Sequence, residues 1–503
     1  MTPTALALGF LFCAAAPASP ASTPTAPIFP PDARVVLHLT NPKADLPALS
    51  RFLEPAGEHA PLLRPSSVSR LFSATLGADL FDRASLAAAG IHAERPLTLF
   101  LWQGQWGACF TETKDANAPT PPPTTSGALP LKSAQFESDG AHFRGIADAQ
   151  SGSWISGRVE RHGITCATAG SSDQRQRLSQ LSFHLRAQAS MAGHEINALL
   201  KSLPPAPLIG AFQTGHGLIG ARFLPRKTGL DVQGRTLTGG EWLIEEGNAQ
   251  SPVDASALRA PLLATLALSP KARAPQGPLA SRLSHVVRAL CPACPGDSRQ
   301  QVLQELLEDV DAPLALAITG VDGRQRPNSL HQFRQALLLP LKTPDRARRA
   351  IATLLPKSVT PDPTAPDADA RRLTLDGLPV HLGATDKALY FGNDPALLKR
   401  VLASPAKAPA RRAKAPKRVQ PRPALQLIAD GPGLADLLQS VSMFDMTGGQ
   451  LFAALFFLKM EASALLRRAE RLELTAHPDG QAIRFDLAFD LKQPCRACAA
   501  KKR

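Results

Sequence analysis

Two Cys-x-x-Cys pairs carry the chemically sharpest side chains of this sequence. They are Cys291 with Cys294, and Cys495 with Cys498. Four thiolates from two such pairs form the tetrahedral ligand set of a structural zinc site. The same residues in an exported chain are typical of disulfide bonds, and the first pair also has the spacing of a thioredoxin-type redox couple. Zinc, disulfides and redox chemistry therefore all stay open, with disulfides favoured if the chain is exported.

The residues next to these pairs separate the interpretations further. Pro295 and Ala499 stand where a haem-attachment motif requires histidine, so that motif is absent. A redox cysteine needs the N-terminus of a helix to lower its pKa. Cys291 instead follows the amphipathic stretch 279–290, which puts it at the opposite end of a helix. We therefore expect neither redox catalysis nor a cofactor.

Two more cysteines, Cys109 and Cys166, lie in strand-like segments of the first half of the chain. Removal of an N-terminal signal would also remove Cys13 and leave six cysteines. An even number suits disulfides in an oxidising compartment, although six cysteines allow fifteen pairings. We expect Cys109 to pair with Cys166, while the two Cys-x-x-Cys pairs close locally or link to each other.

The enzyme motifs that we searched for are absent or lack their structural context. The residues from Gly215 to Gly220 match G-x-G-x-x-G by spelling. A strand pattern follows them, whereas dinucleotide binding requires a helix at that point. The sequence contains no G-x-x-x-x-G-K-[ST], no H-E-x-x-H and no G-x-S-x-G. We therefore expect no catalytic residues, and an enzyme is the third of our functional hypotheses.

Much of the net charge of +14 lies in one segment. Residues 404–423 are rich in Ala, Pro, Lys and Arg, and no acidic residue occurs from Pro395 to Ala429. This composition predicts a solvated loop, whose cations could also contact an anionic envelope polymer or lipid headgroups. We do not expect a nucleic-acid partner, because no aromatic residues interleave with these cations. The candidate contacts with a polyanion are Arg411, Arg412, Lys414, Lys417 and Arg418.

The N-terminal residues predict export. Residues 5–16 form an apolar run that is too short to cross a bilayer and suits the core of a signal peptide. Small residues follow as far as Ala21, although residues 1–4 lack the usual positive charge. We predict a signal peptide at 1–21, a Pro-rich tether at 22–31 and a periplasmic, cell-envelope or secreted protein without a transmembrane span. A basic tail that contains cysteine occupies 492–503.

Similar patterns recur in the two halves of the chain. Each half ends in a strand–turn–strand pattern with period two, at 218–237 and at 472–490. In each half a strand also runs into a helix that begins after an aspartate, Asp173 or Asp394. We therefore predict two related halves, at 32–247 and 257–491, the second containing the basic loop.

The elements within each half predict an α+β fold. The strand-like segments 332–341 and 373–391 favour antiparallel pairing, and a helix with Pro344 in its first position is expected over 343–355. We expect one antiparallel sheet in each half, with helices packed on it.

The order of these patterns loosely resembles a family of exported bacterial proteins that are known only as domains of unknown function. The resemblance is carried by Pro31-Asp32-Ala33 before the first strand, by the helix pattern from Asp345 to Leu354, and by the strand and short helix from Tyr390 to Leu402. It covers most of residues 32–491. Because these motifs are structural, the resemblance implies tandem α+β modules and export, and it brings no active site.

Two functional hypotheses precede the enzyme. The first is a binding or scaffolding module without enzyme activity. The second is a carrier of lipid or another apolar ligand, suggested by the run from Leu451 to Leu458, which would be apolar all round on a helix.

Overall fold

A computed structural model of the chain describes most of the region between the two terminal segments. The described residues are 27–57, 60–61, 64–113, 131–170, 173–186, 195–206, 208–214, 217–226, 229–238, 240, 260–269, 301, 304–305, 307–310, 313–321, 333–343, 345, 348–349, 352, 370–375, 378–385, 388–403, 423–440 and 452–491. The predicted signal peptide, the tail 492–503 and almost all of the basic loop lie outside them.

The chain divides into two compact units. The first comprises Met1–Leu237 with Gly449–Leu465, and the second comprises Thr238–Gly448 with Leu466–Arg503. The described strands of both units pair antiparallel, and helices occur in both. The predicted α+β class is therefore confirmed, while the predicted boundaries 32–247 and 257–491 stay a prediction.

Ten of the described strands make up the sheet of the first unit. They are β1 (Val35–Leu39), β2 (Leu97–Trp102), β3 (Gln105–Phe110), β4 (Leu131–Ser138), β5 (Ala141–Asp148), β6 (Trp154–Arg161), β7 (Ile164–Ala169), β8 (Leu208–Thr214), β9 (Gly217–Arg226) and β10 (Gly229–Thr236). Their pairing gives the order β4-β5-β6-β7-β3-β2-β1-β8-β9-β10. The central strands β1 and β2 are buried along their whole length, as expected where helices cover both faces.

Helices pack on both faces of this sheet. The helices are α1 (Pro42–Gly57), α2 (Pro65–Leu76), α3 (Arg83–Ala88), α4 (Gln174–Arg186) and α5 (Glu195–Ser202). Leu178 of α4 and Leu199 of α5 share a core with Cys109 of β3. Phe72 of α2 meets Trp106 edge-on at 4.9 Å between ring centres. Because Trp106 and Cys109 are three residues apart on one strand, α2 and α4 lie on opposite faces.

Local signals in the sequence explain where two of these helices begin and end. Pro65 takes the first turn of α2, where its missing N–H costs nothing. Gly77 ends α2 with φ of 69°, a left-handed conformation that glycine adopts without strain. Helix α4 begins after Asp173, whose Oδ1 accepts the Arg175 N–H at 3.0 Å. The sequence predicted this aspartate cap.

Nine strands within the described residues make up the sheet of the second unit. They are β11 (Leu262–Leu266), β12 (Leu314–Val321), β13 (Phe333–Pro340), β14 (Arg371–Leu375), β15 (Leu378–Ala384), β16 (Ala388–Gly392), β17 (Leu425–Ala429), β18 (Ala469–Asp479) and β19 (Ala482–Leu491). Their order is β14-β15-β16-β13-β12-β11-β17-β18-β19. Both predicted terminal hairpins, β9–β10 and β18–β19, are present, and Gly480 turns the second with φ of 63°.

The described core of the second unit is built mostly of small and aliphatic side chains around one tyrosine. Helix α6 (Pro395–Ala403) follows β16 and helix α7 (Gly431–Ser440) follows β17, whereas most of α8 (Phe452–Arg468) belongs to the first unit. Leu397 and Leu398 of α6 pack with Leu338 and with Tyr390, which is fully buried. Asp394 caps α6 through the Leu397 N–H at 3.0 Å, as predicted. No helix among the described residues is long and apolar enough to cross a membrane.

Candidate functional site

The predicted cysteine pair forms a disulfide. Cys109 on β3 and Cys166 on β7 stand directly opposite each other, with 4.1 Å between their Cα atoms. Both residues are buried under α4. The other disulfide or zinc candidates, Cys291, Cys294, Cys495 and Cys498, lie outside the described residues. The bond thus closes a loop that contains β4, β5 and β6.

The basic candidates also lie outside the described residues, so contacts of Arg411, Arg412, Lys414, Lys417 and Arg418 stay predictions. Of the apolar run Leu451–Leu458, residues 452–458 belong to helix α8, and nothing about their side chains is described. The lipid-carrier hypothesis therefore stays a prediction.

The sequence did not reveal a buried ionic cluster beneath the first sheet. Arg158 is 6% exposed and donates to the carbonyls of Leu76, at 2.6 Å, and Ala89, at 2.8 Å. Its guanidinium also lies 3.3 Å from the Glu112 carboxylate, which a second arginine, Arg144, contacts at 2.5 Å. Burial lowers the pKa of Arg158, and the charge of Glu112 opposes that shift. The cluster joins the ends of two helices to the sheet.

A second polar group surrounds Trp102 at the end of β2. Its indole Nε1 donates to Asp32 at 2.7 Å, and its carbonyl accepts from Arg177 of α4 at 2.6 Å. The Arg177 guanidinium also lies 5.0 Å from the centre of the indole ring. Burial lowers the pKa of Arg177. Burial also lowers the pKa of His184, whose ring meets the indole edge-on, while the charge of Asp32 raises it. These contacts anchor the segment before β1 to α4.

Two ionisable groups near β1 have strongly shifted pKa values for the same physical reason. Burial lowers the pKa of His38 to about 4, and its Nδ1 lies 2.9 Å from the Thr98 hydroxyl. Burial raises the pKa of Asp45 to about 7, although its carboxylate accepts the Asn41 N–H at 2.9 Å. Desolvation disfavours the charged form of each group, which moves the two pKa values in opposite directions.

Exposed aromatic and cationic side chains share one face at the β4 end of the sheet. Phe136 of β4 is 36% exposed and stacks on Phe143 of β5 at 4.4 Å between ring centres. It also meets the edge of Trp154, over which the Arg175 guanidinium lies at 5.8 Å. Lys132 is exposed on the same strand. We call Lys132, Phe136 and Arg175, with Phe143 and Trp154 beneath them, the cationic–aromatic patch.

The patch was not predicted from the sequence, although the β4 segment carries the pattern of a strand. In the β4 segment a strand places Lys132, Ala134 and Phe136 on one face. The polar residues Ser133, Gln135 and Glu137 then fall on the other face. The Pro-rich stretch just before Leu131 obscured that alternation. The contact of Arg175 with Trp154 could not be found this way, because it depends on how α4 packs against β6.

The side chains of this patch are of the types that contact binding partners. It combines two cations with an exposed ring, which suits a partner that presents carboxylates beside apolar groups. Among the described residues, no three His, Cys, Asp or Glu side chains come together as a metal site would require. The chain matches no protein-family model, no curated protein and no solved structure. The resemblance to exported domains of unknown function accordingly stays a prediction.

Proposed function

We propose that this chain is an exported binding or scaffolding protein, built from two related α+β halves, that engages an anionic partner outside the cytoplasm. The cationic–aromatic patch is the observation that carries this proposal. It leaves Phe136 and two cations on an exposed part of the first sheet. An exposed aromatic beside cations is a common feature of recognition surfaces.

The order of the strands supports the proposed relation between the halves. Counted from β1, the first sheet continues through β2, β3, β7, β6 and β5 on one side and through β8, β9 and β10 on the other. Counted from β11, the second continues through β12, β13, β16, β15 and β14, and through β17, β18 and β19. Each strand thus has a counterpart of the same direction, except β4.

The basic loop supports an anionic partner of the envelope-polymer or lipid-headgroup class. Its five candidate cations stand close together in a sequence without acidic residues. The test replaces Arg411, Arg412, Lys414, Lys417 and Arg418 together by Gln and measures co-sedimentation with vesicles that contain anionic lipid, and retention on dextran sulfate. We expect both to fall at least about tenfold and to weaken with salt.

A matched control replaces five exposed cations of the described units by Gln: Arg51, Arg83, Arg186, Lys201 and Arg372. Equal losses in the two variants, or none in the first, would argue against a specific anionic partner. Export is tested by sequencing the N-terminus of the protein isolated from its native cells. An intact Met1 there would contradict the predicted signal peptide.

A further inference from the structure

Strand β4 ends the sheet of the first unit on an exposed edge. Six of its eight residues are exposed, and within the described residues it pairs only with β5. An edge strand of this length offers a row of backbone N–H and C=O groups to another extended chain. In the proposed correspondence between the halves, β4 is the strand without a counterpart.

The two faces of β4 differ in charge. Phe136 stands opposite Phe143 in the strand pairing, and Lys132, four residues away, shares its face. The acidic side chains of β4, β5 and β6 point to the other face, because Glu137, Asp148 and Glu160 stand at alternate positions. On these three strands, the face that carries Phe136 therefore bears Lys132 and no acidic side chain, although the charge of Lys132 also acts on Asp148 at the end of β5. An added strand would meet the Lys132 ammonium.

Helix α4 adds the second cation on this face. Asp173 holds the start of α4 against β6, since its carboxylate accepts the N–H groups of both Trp154 and Arg175. The Trp154 ring lies over Gly145 of β5, where a Cβ atom would collide with it. This packing holds the indole against β5, with the Arg175 guanidinium 5.8 Å from its ring centre and the Phe136 ring centre 5.6 Å away.

We propose that β4 is the docking edge for an extended acidic peptide segment of a partner protein, which adds antiparallel to it as an eleventh strand. The partner residue opposite Phe136 is apolar, and the residue opposite Lys132, four positions later in the antiparallel chain, is acidic. The recognised pattern is therefore apolar-x-x-x-acidic. The proposal rests on the binding role proposed above and deepens it, because it gives the cationic–aromatic patch an acidic peptide as its ligand, separate from the anionic partner of the basic loop.

The test uses the full-length, disulfide-bonded protein and fluorescent nonapeptides in an anisotropy titration. The matching peptide is Thr-Thr-Val-Thr-Thr-Thr-Glu-Thr-Thr. One control carries Lys in place of Glu, and another moves Glu one position towards Val, which turns its side chain to the other face. We expect the matching peptide to bind at least about five-fold more tightly than either control.

A charge exchange separates the predicted contact from general attraction. Lys132→Glu should reverse the preference, so that this variant binds the Lys peptide more tightly than the Glu peptide. Lys201→Glu, which changes an equally exposed lysine on α5, should leave the original preference intact. Phe136→Ala should weaken the binding of both peptides, because both present Val to the ring. Because all three positions are exposed, each variant is expected to fold, and circular dichroism checks this.

Three results would overturn the proposal. They are equal binding of all peptides, an unchanged preference in Lys132→Glu, and self-association of the protein that Lys132→Glu abolishes, which would mean that a second copy occupies the edge. Loss of vesicle and dextran sulfate binding in the basic-loop variant belongs to the proposed function. That assay can therefore fail while the peptide assay succeeds, and the reverse.

Discussion

The two units arrange their strands in a corresponding order but stabilise the same region by different means. In the first unit, β3 and β7 are joined by the disulfide Cys109–Cys166. In the second, the corresponding strands β13 and β16 place Leu338 opposite Tyr390, and Gly383 of β15 leaves room for the tyrosine ring. One strand order thus accommodates either a covalent bond or a buried apolar pair between neighbouring strands.

The units also differ in how they treat buried charge. Beneath the first sheet Arg158 is buried with carbonyl and carboxylate partners, and Arg177 is buried against Trp102. The second unit buries an aspartate instead, Asp309, whose carboxylate accepts the Thr343 N–H at 3.0 Å, while its apolar core is dominated by alanine and leucine around Tyr390. Removal of one partner from such a buried ionic contact leaves the other charge uncompensated. We therefore expect it to lower the free energy of unfolding strongly.

The largest expected effect comes from removing the disulfide. The variant Cys109→Ala/Cys166→Ala should lower the free energy of unfolding of the first unit by about 4 kcal/mol, because the bond closes a long loop. Hydrogen exchange should show loss of protection in β3 and β7 and none in β13 and β16. Equal loss of protection in both units would contradict the view that only the first unit depends on the disulfide.

The ionic cluster provides the next effect. Glu112→Gln removes the carboxylate from Arg158 and should destabilise the first unit by about 3 kcal/mol, measured by denaturant unfolding. Glu137→Gln is the matched control, because Glu137 pairs with His142 in an exposed position and should cost at most about 1 kcal/mol. Similar values for the two variants would show that the buried cluster contributes no more than a surface pair.

The third prediction concerns pH. The pKa of Asp45 is about 7 in the folded protein, above its unfolded value, so its protonation stabilises the first unit at low pH, and this contribution fades as pH rises from about 4 to 7. The pKa of His38 is about 4, below its unfolded value of 6.5, so stability falls as pH drops through that interval. In the native protein, the contributions of Asp45 and His38 therefore change stability in opposite directions as pH rises.

Asp45→Asn should therefore leave only the pH dependence of stability that comes from His38. We expect the unfolding equilibrium constant of this variant to change at least about tenfold between pH 4 and 6.5, with stability rising with pH, while the native protein changes less. Thermal unfolding across this range measures both curves. Parallel curves would mean that Asp45 is ionised throughout.

The smallest effect compares the two aspartate caps directly. Asp173→Ala and Asp394→Ala should each cost about 1 kcal/mol of stability in their own unit. The first should cost slightly more, since Asp173 also accepts the Trp154 N–H at 3.1 Å. Hydrogen exchange at the first turns of α4 and α6 reports the two losses separately. A larger loss at Asp394 would reverse this comparison.

The parts of the fold that could be predicted from the sequence depend on local signals. Asp173 and Asp394 predicted helix starts, and alternating residues predicted the two terminal hairpins, because both signals act within a few residues. The pairing of Cys109 with Cys166 was favoured because both lie in strand patterns of one half. The wider correspondence between the halves was predicted from such patterns and stays a proposal.

The buried cluster could not be predicted in this way. Nothing in the sequence around Arg158 distinguishes it from other arginines in strands. Its partners Leu76, Ala89 and Glu112 come close to it only when the chain folds. The cationic–aromatic patch has the same character, because Arg175 reaches Trp154 only through the packing of α4. Both sites combine residues from distant elements, which neither spacing nor composition encodes.

The disulfide has a further consequence for how the molecule survives proteolysis. A protease that cuts a single peptide bond anywhere between Cys109 and Cys166 leaves the chain in one covalent piece. That interval contains β4, the edge strand on which a partner would dock. The binding surface can therefore be nicked beside its own strand and still remain attached to the rest of the protein.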